Sequence, residues 1–432
     1  MMKSLRVLFL PLSLAVALPA GAQSPLSAPA PGPQEPLPEG SPPPSEPASG
    51  PAPAAPQPPP PASAAPSITA EPGKGILVKA PGDRYSFGIR ARIQFRDTFQ
   101  HFDRSDTNEI NIRTIRLIVH GNVLSPDLRY TVQLAFGGND FETGSSSPLF
   151  DAFVDYTRLR DLNIRVGQFF VPFDRARTIR EFALQMVDRQ LAVRELNLDR
   201  DVGVMFSSTN LFGLNEWLGY NLFIGGGDGR NRFAAYEAGP LAVLRLTLRP
   251  FGTFDDDQEG DLTRGAKPRL ALGIAGAYNA NTSRRNSTLG TAFTAGTVDY
   301  THLAADLVFK YRGLSVLAEG LWRKASEDAV EGTVNGTVTR EATRSGHGYF
   351  VQAGYLVSPK VELTARWDQL FARDGTDPQL VQLVRTQGKQ AGAGANLYLN
   401  GHAFKVQGDY FYIFGPDGEP RHVARLQLDA SF

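Results

Sequence analysis

Arg90, Arg92 and Arg96 lie at even-numbered positions of "RYSFGIRARIQFR", residues 84–96, so a strand places all three guanidiniums on one face. The same phase in later stretches gives Arg116, Arg129, Arg165, Arg245 and Arg366. Guanidiniums fixed along a narrow, wet path do the chemistry of anion passage, because a hydrated anion can exchange water for N–H donors without being trapped. The same faces carry Asp151, Asp155, Asp306, Glu319, Glu362, Asp368 and Asp409. Pairing of each arginine with a neighbouring acid is therefore the competing arrangement for any single position. Eight arginines together make a modest anion preference the expectation.

Other chemistries find little support. His101, His120, His302, His347, His402 and His422 are scattered with no H-x-x-H or HExxH spacing, so no metal site is expected. Cysteine is absent, which removes thiolate ligands, cysteine nucleophiles and disulfides. No serine and histidine stand out as a pair, and neither catalytic residues nor a cofactor is expected. "FDDDQEGD", residues 254–261, has the carboxylate density of a calcium loop without its ordered spacing and reads as a solvated acidic turn. "GGGDGRN", residues 225–231, is a weak candidate for cradling phosphate because no helix follows it. With 44 Lys+Arg against 44 Asp+Glu, no basic surface drives nucleic-acid binding.

The elements that must position these residues are strands. Lys3 and Arg6 precede the apolar run Val7 to Ala17, and Ala20-Gly21-Ala22 completes a signal peptide over residues 1–22. Residues 23–75 are rich in Pro and Ala and read as a disordered tether. No later run reaches the roughly 18 apolar residues of a spanning helix, so a membrane-inserted chain must be a closed barrel. Residues 76–432 fit one. Apolar residues alternate with polar ones in about sixteen stretches, among them "LRYTVQLAF", "LAVLRLTL" and "VELTARWD". Tyr85, Phe99, Tyr130, Phe136, Tyr300, Tyr311, Trp322, Tyr349 and Tyr412 stand near strand ends, as in the aromatic girdles of a membrane barrel. The charged opposite faces call for a water-filled lumen.

Short turns such as "KYRG" and "LNGH" alternate with long polar loops, the pattern of periplasmic turns and extracellular loops. The connection around "FDDDQEGDLTRGAK" breaks it, being long on the short-turn side. The terminal "RLQLDASF" places Leu426, Leu428, Ala430 and Phe432 on one face, which requires an apolar surrounding for the last strand. Competing readings are an outer-membrane enzyme and a soluble β-rich binding module on the tether.

"FGIRARIQFRDTFQHFD", "IRTIRLIVHGNV", "LFDAFVDY", "LNIRVGQFFVPF", "GYFVQAGYLV" and "AGANLYLNGHAFKVQGDY" resemble, in this order, the phosphate-selective porin family of the O and P type. The resemblance implies an all-β fold: a transmembrane antiparallel β-barrel of sixteen strands, assembled as a homotrimer in the outer membrane lipid of a Gram-negative bacterium, with the tether in the periplasm. It implies passive diffusion of small anionic or neutral solutes, with anion or phosphate preference, or general diffusion without charge selectivity as the alternative. Phe432 is similar to the signal read by the barrel-assembly machinery.

Porins commonly fold a loop inward to narrow the lumen, and residues 172–200 are the candidate here. Arg175, Arg177 and Arg180 would then line a constriction with Glu181 and Asp188 as partners; an exposed amphipathic helix is the alternative. The family's strand-one arginine falls on Arg92, its arginine pair on Arg113 and Thr114, and its acidic partner on Asp151. Arg113 is out of phase with the inward residues and needs a bulge to reach the lumen. Thr114 replaces the second arginine, Phe170 stands where the family has a basic residue, and the lysine-rich inner loop has no counterpart. These departures argue against strict phosphate selectivity.

Overall fold

The computed structural model describes residues 65–432 apart from 103–104, 139, 142–146, 233–238 and 417. The expected signal peptide and most of the tether lie outside those residues. The described part opens on a hairpin, β1 (Ser67–Glu71) and β2 (Gly75–Lys79), which takes in residues that the sequence assigns to the tether.

Strict period-two alternation then builds β3 (Ser86–Phe102), β4 (Ser105–Asn122), β5 (Leu128–Ala135), β6 (Leu149–Tyr156), β7 (Asn163–Phe170), β8 (Arg200–Ser208), β9 (Leu218–Gly225) and β10 (Leu241–Leu248). It continues through β11 (Arg269–Thr282), β12 (Val298–Tyr311) and β13 (Leu314–Ala325). A two-stranded excursion follows, β14 (Ala329–Val334) and β15 (Thr337–Ala342). The wall is completed by β16 (Gly346–Leu356), β17 (Val361–Ala372), β18 (Lys389–Asn400), β19 (Phe404–Phe414) and β20 (Pro420–Ser431). Leaving out the two hairpins, each strand pairs antiparallel with the next, and β20 pairs with β3 to close a barrel of 16 strands.

Closure explains the terminal aromatic. Phe432 and Ala91 exchange both backbone hydrogen bonds, at 2.7 and 3.0 Å, so the last residue is still part of the ladder. Leu426, Leu428 and Phe432 face outward and are exposed, while Gln427 and Asp429 are buried on the inner face. The β1–β2 hairpin occupies the edge of β3 beyond the end of β20, with Ile76 opposite Ile89 and Lys79 opposite Ser86. Gly75 permits this approach: its φ is +77°, and a Cβ there would lie 2.0 Å from the Ile89 carbonyl. Tight turns at the same end also follow local chemistry. Arg312 and Gly313 join β12 to β13 with positive φ at both residues, the twist a two-residue hairpin requires.

Two expectations about the wall need correction. Tyr300 is not in a girdle; it points inward, fully buried, and donates its hydroxyl to the Arg285 carbonyl at 2.6 Å. The lumen is also not wholly wet. Inward residues of β9–β13 and β16 include Phe223, Val243, Ala271, Val308, Leu321 and Phe350, and these form a dry core with a loop that enters from the long-loop end. The charged positions of β3–β8 lie on the other side of the lumen.

Candidate solute pathway

The entering loop is residues 171–199, between β7 and β8. Its first turn, α1 (Arg175–Thr178), is capped by Asp174, which accepts the Arg177 N–H at 2.6 Å. Glu319 of β13 accepts the N–H groups of Arg175 and Ala176, both at 2.9 Å. A second turn, α2 (Leu191–Leu196), buries Leu191, Ala192, Val193 and Leu196, and its Glu195 is held by Arg323 and Arg344. Between the turns the chain is held by the far wall. Lys405 and Gln407 donate to the Leu184 carbonyl, Asn396 to the Gln185 carbonyl, and Asp409 accepts the Val187 N–H. The exposed-helix alternative for this segment is therefore excluded.

A second segment meets it from the short-turn end. "FDDDQEGD" is not a solvated turn: Asp256, Glu259 and Asp261 are 5%, 2% and 3% exposed. Asp256 pairs with Arg175 at 2.9 Å, and Glu259 accepts the Gln185 N–H at 2.7 Å together with the side-chain amides of Gln190 and Gln352. Buried carboxylates demand such donors, and the loop supplies them.

The two segments leave open space against β3–β8 and, at the long-loop end, β19–β20. An outer recess of about 1090 Å³ is bordered by Arg96, Asn111, Arg113, Asp188, Arg194 and Arg425. It narrows to a waist of about 430 Å³, where Arg96, Arg113, Asp188 and Arg194 recur beside Gln94, Arg177, Glu181 and Arg189. Arg177, Glu181 and Arg189 in turn border an inner cavity of about 970 Å³ with Arg90, Arg92, Arg116, Asp151, Arg165 and Arg180. The shared residues place the three spaces side by side along the lumen.

At the waist one carboxylate serves several cations. Asp188 lies 3.4 Å from Arg425, 3.7 Å from Arg96, 3.9 Å from Arg113 and 4.0 Å from Arg194. Burial would raise its pKa, but Arg194, Arg96, Arg425 and Arg113 outweigh that and hold it well below the usual carboxylate range. Glu181 behaves alike: burial is overcome by Arg116, Arg189, Arg177 and Arg113. Arg113 reaches this place through a bulge. Gln94 pairs with Thr114 and Phe95 with Ile112, leaving Arg113 as the extra residue.

The remaining sequence candidates separate into groups. Arg92 pairs with Asp429, Arg116 binds Asp140 and Glu181 at 2.9 Å each, and Arg165 pairs with Asp155 at 2.6 Å, all three bordering the inner cavity. Asp151 is held by Arg200 at 2.7 Å. Arg90 and Arg180 border the same cavity, and their side chains have no ion pair or hydrogen bond among the described residues. Arg177 is held by Asp199 at 2.6 Å. The other candidates are not brought to the pathway. Arg129 is exposed at the short-turn rim and donates to the Pro126 carbonyl. Arg245 and Arg175 both bind Asp306 at 2.5 Å in the dry half, and Arg366 pairs with Asp368 while donating to the Asp188 carbonyl. These three pin the loop.

Sequence reasoning missed Phe150, Arg189, Arg194 and Arg200. Phe150 is the extra residue of a second bulge, since Gln133 pairs with Asp151 and Leu134 with Leu149. The bulge turns two adjacent side chains, Phe150 and Asp151, inward, which strict alternation forbids. Arg200 lies between the rings of Phe150 and Phe170, 3.7 and 3.6 Å from their centres.

The model of the family described as phosphate-selective porin O and P matches residues 87–413. The chain belongs to the porin O/P family. Among solved structures, OmpF of Salmonella typhi, in complex with daunomycin, matches with a TM-score of 0.53 at 13% identity, over 81% of this chain and 98% of that one. OprB of Pseudomonas putida, in a high-pH structure, matches with a TM-score of 0.52 at 11% identity, over 81% and 94%. At such identities the likeness shows the fold, a porin barrel. No curated protein sequence matches the chain. This porin is therefore an outer-membrane channel.

Proposed function

We propose that this porin passes small hydrophilic solutes, anionic or neutral, with a modest preference for anions set by Arg90, Arg92, Arg96, Arg113, Arg116, Arg165, Arg177 and Arg180 along the pathway. The observation that carries the reading is the imbalance of partners: Arg90 and Arg180 have none among the described residues, and Asp188 is shared by four guanidiniums. A passing anion meets donors not already neutralised. Asp151, Glu181 and Asp188 temper that field and support the competing reading, general diffusion without charge selectivity. Reversal potentials of the refolded protein in a planar bilayer under a KCl gradient decide: chloride preference supports the anion channel, zero selectivity the general one, and cation preference overturns both.

The organisation around the channel belongs to the same proposal. Residues 1–22 direct export, the Pro-rich tether from residue 23 lies in the periplasm, three copies associate in the outer membrane lipid, and Phe432 is read by the barrel-assembly machinery. The outward exposure of Leu426, Leu428 and Phe432 supports the lipid-facing part.

A further inference from the structure

The inner cavity is unusual for a vestibule that passes inorganic ions, because much of its wall is aromatic. Phe153, Phe170 and Phe182 are half-buried and border it, with Phe150 and Phe169 behind them. Guanidiniums lie over these rings: Arg200 between Phe150 and Phe170, Arg165 at 4.1 Å from the centre of Phe153, and Arg92 at 4.4 Å from that of Phe182. Flat cations and flat rings alternate around the space, and both stack on a further ring.

The charge is arranged just as specifically. Arg200, Arg165 and Arg92 are each neutralised by an aspartate, so they offer planar surface more than net charge. Arg90 and Arg180 form no ion pair among the described residues and face the same cavity; Arg180 repels Arg90, and the attraction acting on Arg180 is the longer-range one of Asp151 and Asp257. The Nε of Arg90 is buried without a hydrogen-bond partner. A bound anion would relieve both the repulsion and the unmet donor.

Taken together, two guanidiniums without a salt-bridge partner among the described residues, beside an aromatic wall, fit an anion with an apolar, planar body. We propose that the inner cavity is a subsite for aromatic carboxylates, the carboxylate held by Arg90 and Arg180 and the ring stacked among Phe153, Phe170 and Phe182. Inorganic phosphate fits poorly, since its strongly hydrated oxygens gain nothing from phenyl rings and lose water against them. Phe170 and Thr114, where this chain departs from the family's basic pattern, lie on the wall between β4 and β7. This inference rests on the anion-channel reading and deepens it.

The test uses the full refolded chain in a planar bilayer, carrying chloride current, with benzoate, acetate and inorganic phosphate added in turn. Benzoate and acetate share a head group, so their difference isolates the ring. The expected result is half-block by benzoate at a concentration at least tenfold lower than by acetate or phosphate. Arg180→Gln should raise the benzoate midpoint about tenfold, and Phe182→Ser should raise it while leaving acetate unchanged. Should Phe182→Ser fail to refold, Arg180→Gln decides alone, because Arg180 is exposed to the lumen and forms no pair whose loss would unfold the loop. Equal block by benzoate and acetate, stronger block by phosphate, or no block by benzoate in a chloride-preferring channel overturns the subsite and leaves the anion channel standing. Cation preference in the KCl gradient overturns both.

Discussion

Glu259 accepts the backbone N–H of Gln185 at 2.7 Å, which joins a connection at the short-turn end to a loop that enters from the long-loop end. The contact is made inside the barrel, where Glu259 also accepts from Gln190 at 3.0 Å and from Gln352 at 2.7 Å. Two infolded segments thereby fill one side of the lumen and leave open space along β3–β8 and β19–β20. How firmly these segments hold one another is therefore expected to affect the width of the channel.

Glu259→Ala should loosen that junction. Three donors lose their acceptor, and each buried donor left unsatisfied costs about 1–3 kcal/mol. The expected outcome is a lower thermal midpoint of the refolded protein and a larger, noisier single-channel conductance. An unchanged conductance with a lowered midpoint would separate stability from gating and remove the junction as a determinant of pore width.

Asp188→Asn should raise chloride over potassium selectivity several-fold, read as a larger reversal potential in a KCl gradient. Four guanidiniums within 4.0 Å lose their common counter-charge, and the amide keeps the volume. The pH dependence follows from the depressed carboxyl. A folded pKa below the unfolded one gives stability that is present above about pH 4 and is lost only as pH falls toward the folded value. Selectivity should therefore be flat from pH 7 to pH 4, and a step in that window would mean that Asp188 titrates as an ordinary aspartate.

The strands were legible because each carries its own period, and so was the closing strand, whose last ring needs an apolar neighbour. Arg90, Arg92 and Arg96 were legible for the same reason. The burial of Asp256, Glu259 and Asp261 was not, since the partners of Glu259 lie 74, 69 and 93 residues away. An acidic cluster reads as solvated until something distant brings donors to it. Phe150 was hidden differently. Its bulge adds one residue to β6 only, and the adjacent pair Phe150-Asp151 looks like one outward and one inward position until the register is known. The doubled Phe169-Phe170 at the end of β7, both bordering the cavity, was the local sign that alternation fails here.

Asp174 should make loop docking depend on pH in the opposite sense to Asp188. Burial raises its carboxyl to about 7, although the Arg177 N–H and the cations Arg177, Arg189 and Arg245 pull it back, and Glu319 of β13 adds a second carboxyl beside it. Between about pH 4 and 7 the folded chain keeps a proton that the unfolded chain releases, so stability falls as pH rises through that window and levels off above it. The change is on the order of a few kcal/mol. Asp174→Asn retains an acceptor for the Arg177 N–H and loses the titration. The variant should have the higher midpoint at pH 8, with the two curves meeting near pH 4. Parallel curves across that range would show that Asp174 is ionised throughout.

Phe432→Ala distinguishes recognition of the terminal ring from its role in the folded wall. The two hydrogen bonds between residue 432 and Ala91 are made by backbone atoms and survive the substitution. The ring itself is 64% exposed on the outer surface, so its removal takes little packing from the barrel. Refolding in detergent should give the same heat-modifiable band and a midpoint within about 1 kcal/mol of the parent. In cells the same variant should reach the outer membrane at a clearly lower level if, as proposed, the assembly machinery reads the side chain and not the ladder. Equal loss in both settings would make Phe432 a structural residue of the seam, and equal success in both would remove it as an assembly signal.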